Sequence, residues 1–121
     1  MSTAIQISPY VNFQGKAREA LEFYSKVFGG KVDHRQGQST LETDGIVIIG
    51  ADGHPDYPAK VGENMGISVT GTDKERLTKI FSGLAEGGKI SMPLKAQAWG
   101  GEVGWLSDKY GIRWTVNVNK P

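Results

Sequence analysis

The chain has 121 residues and no cysteine, so it can form neither a disulfide framework nor a thiolate metal site, and a reducing, cytoplasmic setting is expected. Its net charge is +1 and its lysines and arginines are scattered, which gives no basic patch for nucleic acid. The longest wholly apolar run, Ile46 to Ile49, is too short for a membrane span or a signal peptide. Neither a nucleic acid nor a membrane is therefore an expected partner.

The first half of the chain has the predicted element order β-α-β-β-β. Alternating apolar and polar residues predict a first strand over residues 5–13, with Tyr10 and Asn12 on its polar face. An apolar stripe predicts a helix over about residues 16–28. Three strands follow, near residues 31–36, 39–43 and 46–49. The dipeptide Asp44-Gly45 predicts the hairpin turn between the last two strands.

The second half repeats this order after a connecting loop. Residues 51–64 are rich in proline and glycine, which predicts a loop without regular structure. A strand over residues 65–70 and a helix over about residues 73–86 come next. The remaining strands are predicted over residues 89–93, 99–106 and 112–118.

The repeated order includes a repeated sequence. Gly29-Gly30-Lys31-Val32 follows the first predicted helix, and Gly87-Gly88-Lys89-Ile90 follows the second, close to half the chain length away. Two copies are too few for a solenoid. We therefore expect one pseudo-symmetric domain over residues 1–121, with module one at about 4–54 and module two at about 64–119. A ligand site is expected where the halves meet.

Six short segments, taken together and in order, are similar to a known protein family. They are Pro9-Tyr10-Val11-Asn12-Phe13-Gln14-Gly15, Glu19-Ala20-Leu21-Glu22-Phe23-Tyr24, Val27-Phe28-Gly29-Gly30, Met92-Pro93-Leu94, Trp99-Gly100 and Asp108-Lys109-Tyr110-Gly111-Ile112-Arg113-Trp114. With the two βαβββ units, they resemble the vicinal oxygen chelate superfamily, and most closely its PhnB-like branch. The resemblance implies an α+β fold in which two βαβββ modules form a curled mixed-sheet cup, the glyoxalase/bleomycin resistance fold. It also implies a homodimer.

The superfamily also implies a metal ion, held by His and Glu side chains from strands one, four, five and eight. This sequence departs from that pattern at each strand. The available residues are Ser8, Tyr10 or Asn12 on strand one, Val47 to Gly50 on strand four, Asn64, Gly66 or Ser68 on strand five, and Thr115 on strand eight. We therefore expect neither a metal nor another cofactor at this position. A displaced metal site that uses His34 or His54 stays open.

Aromatic and polar residues of the expected cup are the candidate ligand contacts. They are Tyr10, Asn12, Ser68, Trp99, Glu102, Trp105, Arg113, Thr115 and Asn117. The expected pocket lies inside the sheet, between the strands that contain Tyr10 and Asn12 and those that contain Trp99, Trp105, Thr115 and Asn117. Trp114 is expected in the core instead. Arg113 can pair with an anionic group of the ligand.

Two function classes remain open. One is a small-molecule binding protein that works without a metal. The other is an enzyme of the same superfamily: a lyase, isomerase or dioxygenase with a displaced metal, or a transferase. The missing metal ligands favour binding. The carboxylates Glu42, Asp44 and Asp52 are interpreted as solvated turn residues. A homodimer is also expected, because a half-cup of exposed apolar strands needs to be covered by a partner.

Overall fold

A computed structural model describes residues 6–43 and 45–120. The chain divides into two compact units between Ala59 and Lys60, and each unit contains one βαβββ module. Asp44, the first residue of the predicted hairpin turn, lies outside the described residues. Its neighbour Gly45 has a φ of 82°, a conformation that glycine adopts without strain.

Module one is a four-stranded mixed sheet with one helix. Its elements are β1 (Tyr10–Asn12), α1 (Ala17–Phe28), β2 (Lys31–Arg35), β3 (Gln38–Thr43) and β4 (Ile46–Ala51). The strand order is β1-β4-β3-β2. Strand β1 is parallel to β4, and the other neighbours are antiparallel.

Module two has the same arrangement. Its elements are β5 (Ile67–Gly71), α2 (Lys74–Ala85), β6 (Lys89–Ala96), β7 (Glu102–Ser107) and β8 (Arg113–Val118). The strand order is β5-β8-β7-β6, with β5 parallel to β8 and the other neighbours antiparallel. The predicted element order and both helices are thus confirmed.

Two predicted strands differ from the observed ones. Among the described residues, β1 covers only Tyr10–Asn12, less than half of the predicted strand. Trp99 lies in the turn between β6 and β7, whereas the sequence predicted it on a strand. The amide of Gln97 donates to the carbonyl of Gly101, and Gly100 has a φ of 98°, so the chain reverses at this point.

The core of module one forms where α1 packs on the sheet. Ala17, Ala20, Leu21 and Tyr24 are buried on the inner side of the helix, as the apolar stripe predicted. The helix begins with a long-range cap, in which Oδ1 of Asp52 accepts a hydrogen bond from the amide of Ala17 at 2.9 Å. The interpretation of Asp52 as a solvated turn residue was therefore wrong, because its carboxylate satisfies a free amide of the helix.

The core of module two forms in the same way. Leu77, Ile80, Phe81 and Leu84 of α2 are buried, and the helix is capped by Asp73, which accepts from the amide of Arg76 at 3.1 Å. On the sheet, the buried side chains are those of Leu106, Trp114, Val116 and Val118. Trp114 is 1% exposed, as predicted for a core residue.

One buried carboxylate organises the turn between β7 and β8. Oδ1 of Asp108 accepts hydrogen bonds from the amides of Tyr110 (2.8 Å) and Ile112 (3.0 Å), and Oδ2 accepts from Nε1 of Trp114 at 2.8 Å. Asp108 is only 4% exposed. A buried indole N–H must find an acceptor, so this carboxylate joins the turn to the largest side chain of the core.

Replacing Asp108 by asparagine is expected to destabilise the protein. The variant Asp108→Asn keeps the size of the side chain but turns one acceptor into a donor, which then opposes an amide or the indole N–H. We expect the free energy of unfolding, measured by urea denaturation, to fall by about 2–3 kcal/mol. The control Asp33→Asn, which breaks an exposed ion pair with Arg35, should change it by less than about 1 kcal/mol. Equal losses in the two variants would contradict the role of Asp108.

Candidate functional site

Each sheet has two unlike faces. On the helix face, a module's own helix packs so closely that a side chain on Gly50 would meet Leu21, and one on Gly104 would meet Phe81. We call the opposite side of each sheet its distal face. Because side chains alternate along a strand, residues next to a helix-face position point to the distal face.

The distal face of module two brings together most of the predicted ligand contacts. Ser68 lies opposite Thr115, Thr115 opposite Trp105, and Trp105 opposite Met92, so one row crosses all four strands. The adjacent row contains Thr70, Asn117, Val103 and Lys95. Residues separated by tens of positions in sequence therefore form one continuous surface.

Hydrogen bonds connect the polar side chains of this surface. Nδ2 of Asn117 donates to Oγ of Ser68 at 3.1 Å, and that hydroxyl lies 3.3 Å from the hydroxyl of Thr70. These contacts fix the orientation of the Asn117 amide. The surface is thus partly preorganised for a ligand that forms hydrogen bonds.

The two candidate tryptophans have different environments. Trp105 is 38% exposed on the distal face, where its ring can contact a ligand. Trp99 is 53% exposed in the turn, and its ring occupies the space that a side chain on Gly101 would take. The glycine therefore accommodates the Trp99 ring, which lies against the backbone there.

Arg113 stands at the beginning of β8 on the distal face. It is half-buried, and its guanidinium donates to the backbone carbonyl of Glu63 at 2.6 Å. The next position across the sheet is Gly66, which leaves the space beside Arg113 without a side chain.

Glu102 is the one candidate on strands β5 to β8 that the structure places on the helix face. It lies opposite Val118, whose side chain is buried there, and its carboxylate pairs with Nζ of Lys74 at 2.8 Å. The hydrogen bond to Glu102, together with the charge of that carboxylate, raises the pKa of Lys74. The structure thus separates Glu102 from the polar surface around Thr115.

Module one supplies the two remaining candidates. Tyr10 is 65% exposed on the distal face, opposite Ile49 of β4. Asn12 is on the same face, but its Oδ1 accepts a hydrogen bond from the amide of Gln14 at 2.8 Å. Gln14 has a φ of 52°, so Asn12 stabilises an unusual backbone conformation after β1.

The two histidines form hydrogen bonds within module one and its loop. His34 is on β2, as predicted, and bridges two elements: Nδ1 lies 2.7 Å from Oγ of Ser39, and Nε2 lies 2.6 Å from Oε2 of Glu22. Both ring nitrogens are therefore engaged, Nδ1 with the neighbouring strand β3 and Nε2 with α1. Ser39 is 3% exposed, so its hydroxyl is closed to a substrate despite the Ser-His-Glu arrangement. His54 is in the predicted loop, where its Nδ1 accepts from the amide of Asp56 at 3.1 Å.

The distal faces do not fit the metal ion of the vicinal oxygen chelate proteins. The side chains that β1, β4, β5 and β8 direct to these faces within the described residues include no His, Asp or Glu. They are Tyr10, Asn12, Val47, Ile49, Ala51, Ser68, Thr70, Arg113, Thr115 and Asn117. Across residues 6–43 and 45–120, no three His, Asp or Glu side chains lie close enough together to hold a metal. Neutral hydroxyls and amides are weak ligands for transition metals.

A separate open groove of about 320 Å³ lies in module one, beside the turn between β3 and β4. It is lined by Gln6, Ile7, Pro9, Glu42, Thr43, Gly45, Ile46 and Val47. None of the ligand contacts predicted from the sequence lines it.

Comparisons with known proteins identify the family. The family model described as 3-demethylubiquinone-9 3-methyltransferase matches residues 5–117. Protein PA1353 from Pseudomonas aeruginosa has a similar structure, with a TM-score of 0.89 and 28% identity, over 98% of this chain and 100% of that chain. A PhnB protein from Bacillus cereus follows, with a TM-score of 0.79 and 26% identity over 95% and 100%. The chain belongs to the PhnB-like branch of the vicinal oxygen chelate superfamily.

The PhnB-like protein also has the fold of more distant members. A glyoxalase-related enzyme from Fulvimarina pelagi has a TM-score of 0.70 at 18% identity, over 96% of this chain and 89% of that chain, a similarity of fold alone. The predicted glyoxalase/bleomycin resistance fold class is thereby confirmed. Neither of the helices in the described residues has the length and apolar character needed to cross a lipid bilayer.

Trp105 and Trp114 should respond differently to truncation. We expect Trp114→Ala to lower the free energy of unfolding by about 3–5 kcal/mol, because it empties a packed core site. Trp105→Ala should lower it by about 1 kcal/mol or less, because the ring is partly exposed. Urea denaturation followed by circular dichroism measures both values. A loss in Trp105→Ala as large as that in Trp114→Ala would show that Trp105 is a core residue.

Proposed function

We propose that the PhnB-like protein binds a small organic molecule on the distal face of module two, without the metal ion of its superfamily. The row formed by Ser68, Thr115 and Trp105 supports this proposal most directly. It combines hydroxyl groups with an accessible aromatic ring, and the hydroxyls stand on the strands from which the superfamily supplies metal ligands. A flat apolar surface beside a few fixed polar groups is typical of small-molecule sites.

An enzymatic role is the second candidate, because the matching family is described as a methyltransferase acting on a demethylated ubiquinone. Methyl transfer to a hydroxyl requires a base that takes the hydroxyl proton. Among the described residues, β5 to β8 direct no His, Asp or Glu to the distal face of module two. This surface therefore supports binding of a flat ring better than chemistry on it.

Metal removal should leave binding intact. We propose to titrate the protein with anilinonaphthalene, a neutral aromatic probe that becomes fluorescent in apolar surroundings, before and after dialysis against EDTA. Binding should be unchanged by EDTA because the proposed site uses hydroxyl, amide and indole groups. A stoichiometric metal, detected by elemental analysis, whose removal abolishes binding would contradict the proposal.

A pair of variants locates the probe in the same titration. Trp105→Ala should weaken binding because it removes the aromatic surface of the site. Ile90→Ala is the matched control: Ile90 is 47% exposed but lies opposite Leu106, on the helix-face side of β6. Equal weakening in both variants would indicate binding to exposed apolar side chains in general.

We also propose that the protein is a homodimer. Large apolar side chains are highly exposed in the single chain, with Ile7 at 95% and Met65 at 81%. Such surface in a protein of this size is typically covered by a partner. Sedimentation equilibrium at micromolar concentration should give twice the mass of the chain. The mass of a single chain across that concentration range would contradict this prediction.

A further inference from the structure

We propose that the site takes a planar organic anion, an aromatic molecule bearing a carboxylate or sulfonate, with Arg113 contacting the anionic group. This inference rests on the proposed binding function and adds the charge of the ligand to it.

Among the residues that the structure describes, the cations of this face have no carboxylate opposite them. Lys89 lies opposite Ser107, and Ser107 lies opposite Arg113, so these residues form a row next to that of Trp105. Lys95 lies opposite Val103, in the row on the other side of the Trp105 row. Among the described residues that β5 to β8 direct to this face, none is Asp or Glu. The strands therefore give the surface a positive potential that favours an anionic ligand.

Arg113 is the best placed of these cations. Its bond to the carbonyl of Glu63 holds the guanidinium at 2.6 Å from a neutral acceptor, and among the described residues it forms no ion pair with a carboxylate. A guanidinium has five N–H donors, so most of them remain for a ligand. Because it is planar, it can bind a carboxylate through two parallel hydrogen bonds.

The neighbours of Arg113 leave room for such a ligand. Gly66 on one side has no side chain, and Ser107 on the other contributes only a small hydroxyl. Trp105 is the diagonal neighbour of Arg113, at a typical separation of about 7–8 Å between Cα atoms. An aromatic ring can therefore lie against the indole while an attached anionic group reaches the guanidinium.

Two probes with the same ring system test this inference. Anilinonaphthalene sulfonate is anionic, and anilinonaphthalene is its neutral parent. We expect the wild-type protein to bind the sulfonate more tightly. Arg113→Gln should weaken sulfonate binding by about tenfold and change binding of the neutral probe by less than about twofold, because only the charged hydrogen bonds are lost. Arg113→Lys, which keeps the charge without the planar donors, should give an intermediate affinity for the sulfonate.

Two control variants separate this contact from the general effect of charge. Lys79→Gln removes one positive charge from the exposed side of α2. Glu63→Gln removes the side-chain carboxylate of Glu63 but keeps the backbone carbonyl that accepts from Arg113. Lys79→Gln should bind the sulfonate within about twofold of the wild type, because α2 packs on the other face of the sheet and an exposed charge is screened by salt. Glu63→Gln should bind the sulfonate at least as tightly as the wild type, because it loses a negative charge and keeps the carbonyl that holds Arg113. Circular dichroism checks that each variant is folded.

These titrations test the anion inference separately from the proposed binding function. If folded Arg113→Gln loses both probes equally, or if Lys79→Gln loses as much sulfonate affinity as Arg113→Gln, the anion inference is wrong while the binding proposal stands. If the wild-type protein binds neither probe, the proposed function itself fails. If Arg113→Gln changes the sedimenting mass instead of probe affinity, this face contacts a second copy of the chain, and the inference is overturned.

Discussion

The hydrogen bonds accepted by the Asp108 carboxylate fix the geometry on which the candidate site depends. Asp108 holds the turn after β7 and the indole of Trp114 at once, so it sets where β8 begins relative to β7. Side chains alternate along a strand, and a slip of one residue would exchange the two faces of β8. Trp114 would then leave the core, and Thr115 would leave the distal face. The buried carboxylate therefore positions the candidate ligand contacts without touching the ligand.

The two modules share a fold but use their polar side chains differently. In module one, His34 and Ser39 lie on the helix face, where they join the sheet to Glu22 of α1. The distal face of that module contains the apolar residues Val47 and Ile49 near Tyr10. Strands β2 and β3 of module one also direct charged side chains of both signs to that face, among them Asp33 and Arg35, which pair with each other. The distal face of module two has hydroxyls, an amide, an indole and three cations, and the described residues of β5 to β8 direct no carboxylate to it. This divergence within a duplicated fold is the reason for assigning the proposed ligand contacts to module two.

The metal positions illustrate how a superfamily fold can support a different site chemistry. The strands that supply metal ligands in the superfamily are present here, and β5 and β8 place Ser68 opposite Thr115. Hydroxyl groups at these positions can donate and accept hydrogen bonds but do not replace imidazole or carboxylate ligands. What the fold retains is a surface where side chains from distant parts of the chain converge. The identity of those side chains decides its chemistry.

The sequence by itself determined the order of the elements, both helices and the core position of Trp114, because these follow from the local periodicity of apolar residues. It also allowed Glu102 to be separated from Trp105: the two are three residues apart on one strand and so face opposite sides. Only the tertiary structure decided the acceptor of the Trp114 indole and the cap on α1 from Asp52. It also decided that Met92 shares a face with Trp105: simple alternation would place Met92 on the same face as Ile90, but a register shift between these two residues moves it to the opposite face. These contacts join residues that are distant in sequence or displaced by bulges, and the pairing of whole strands determines them.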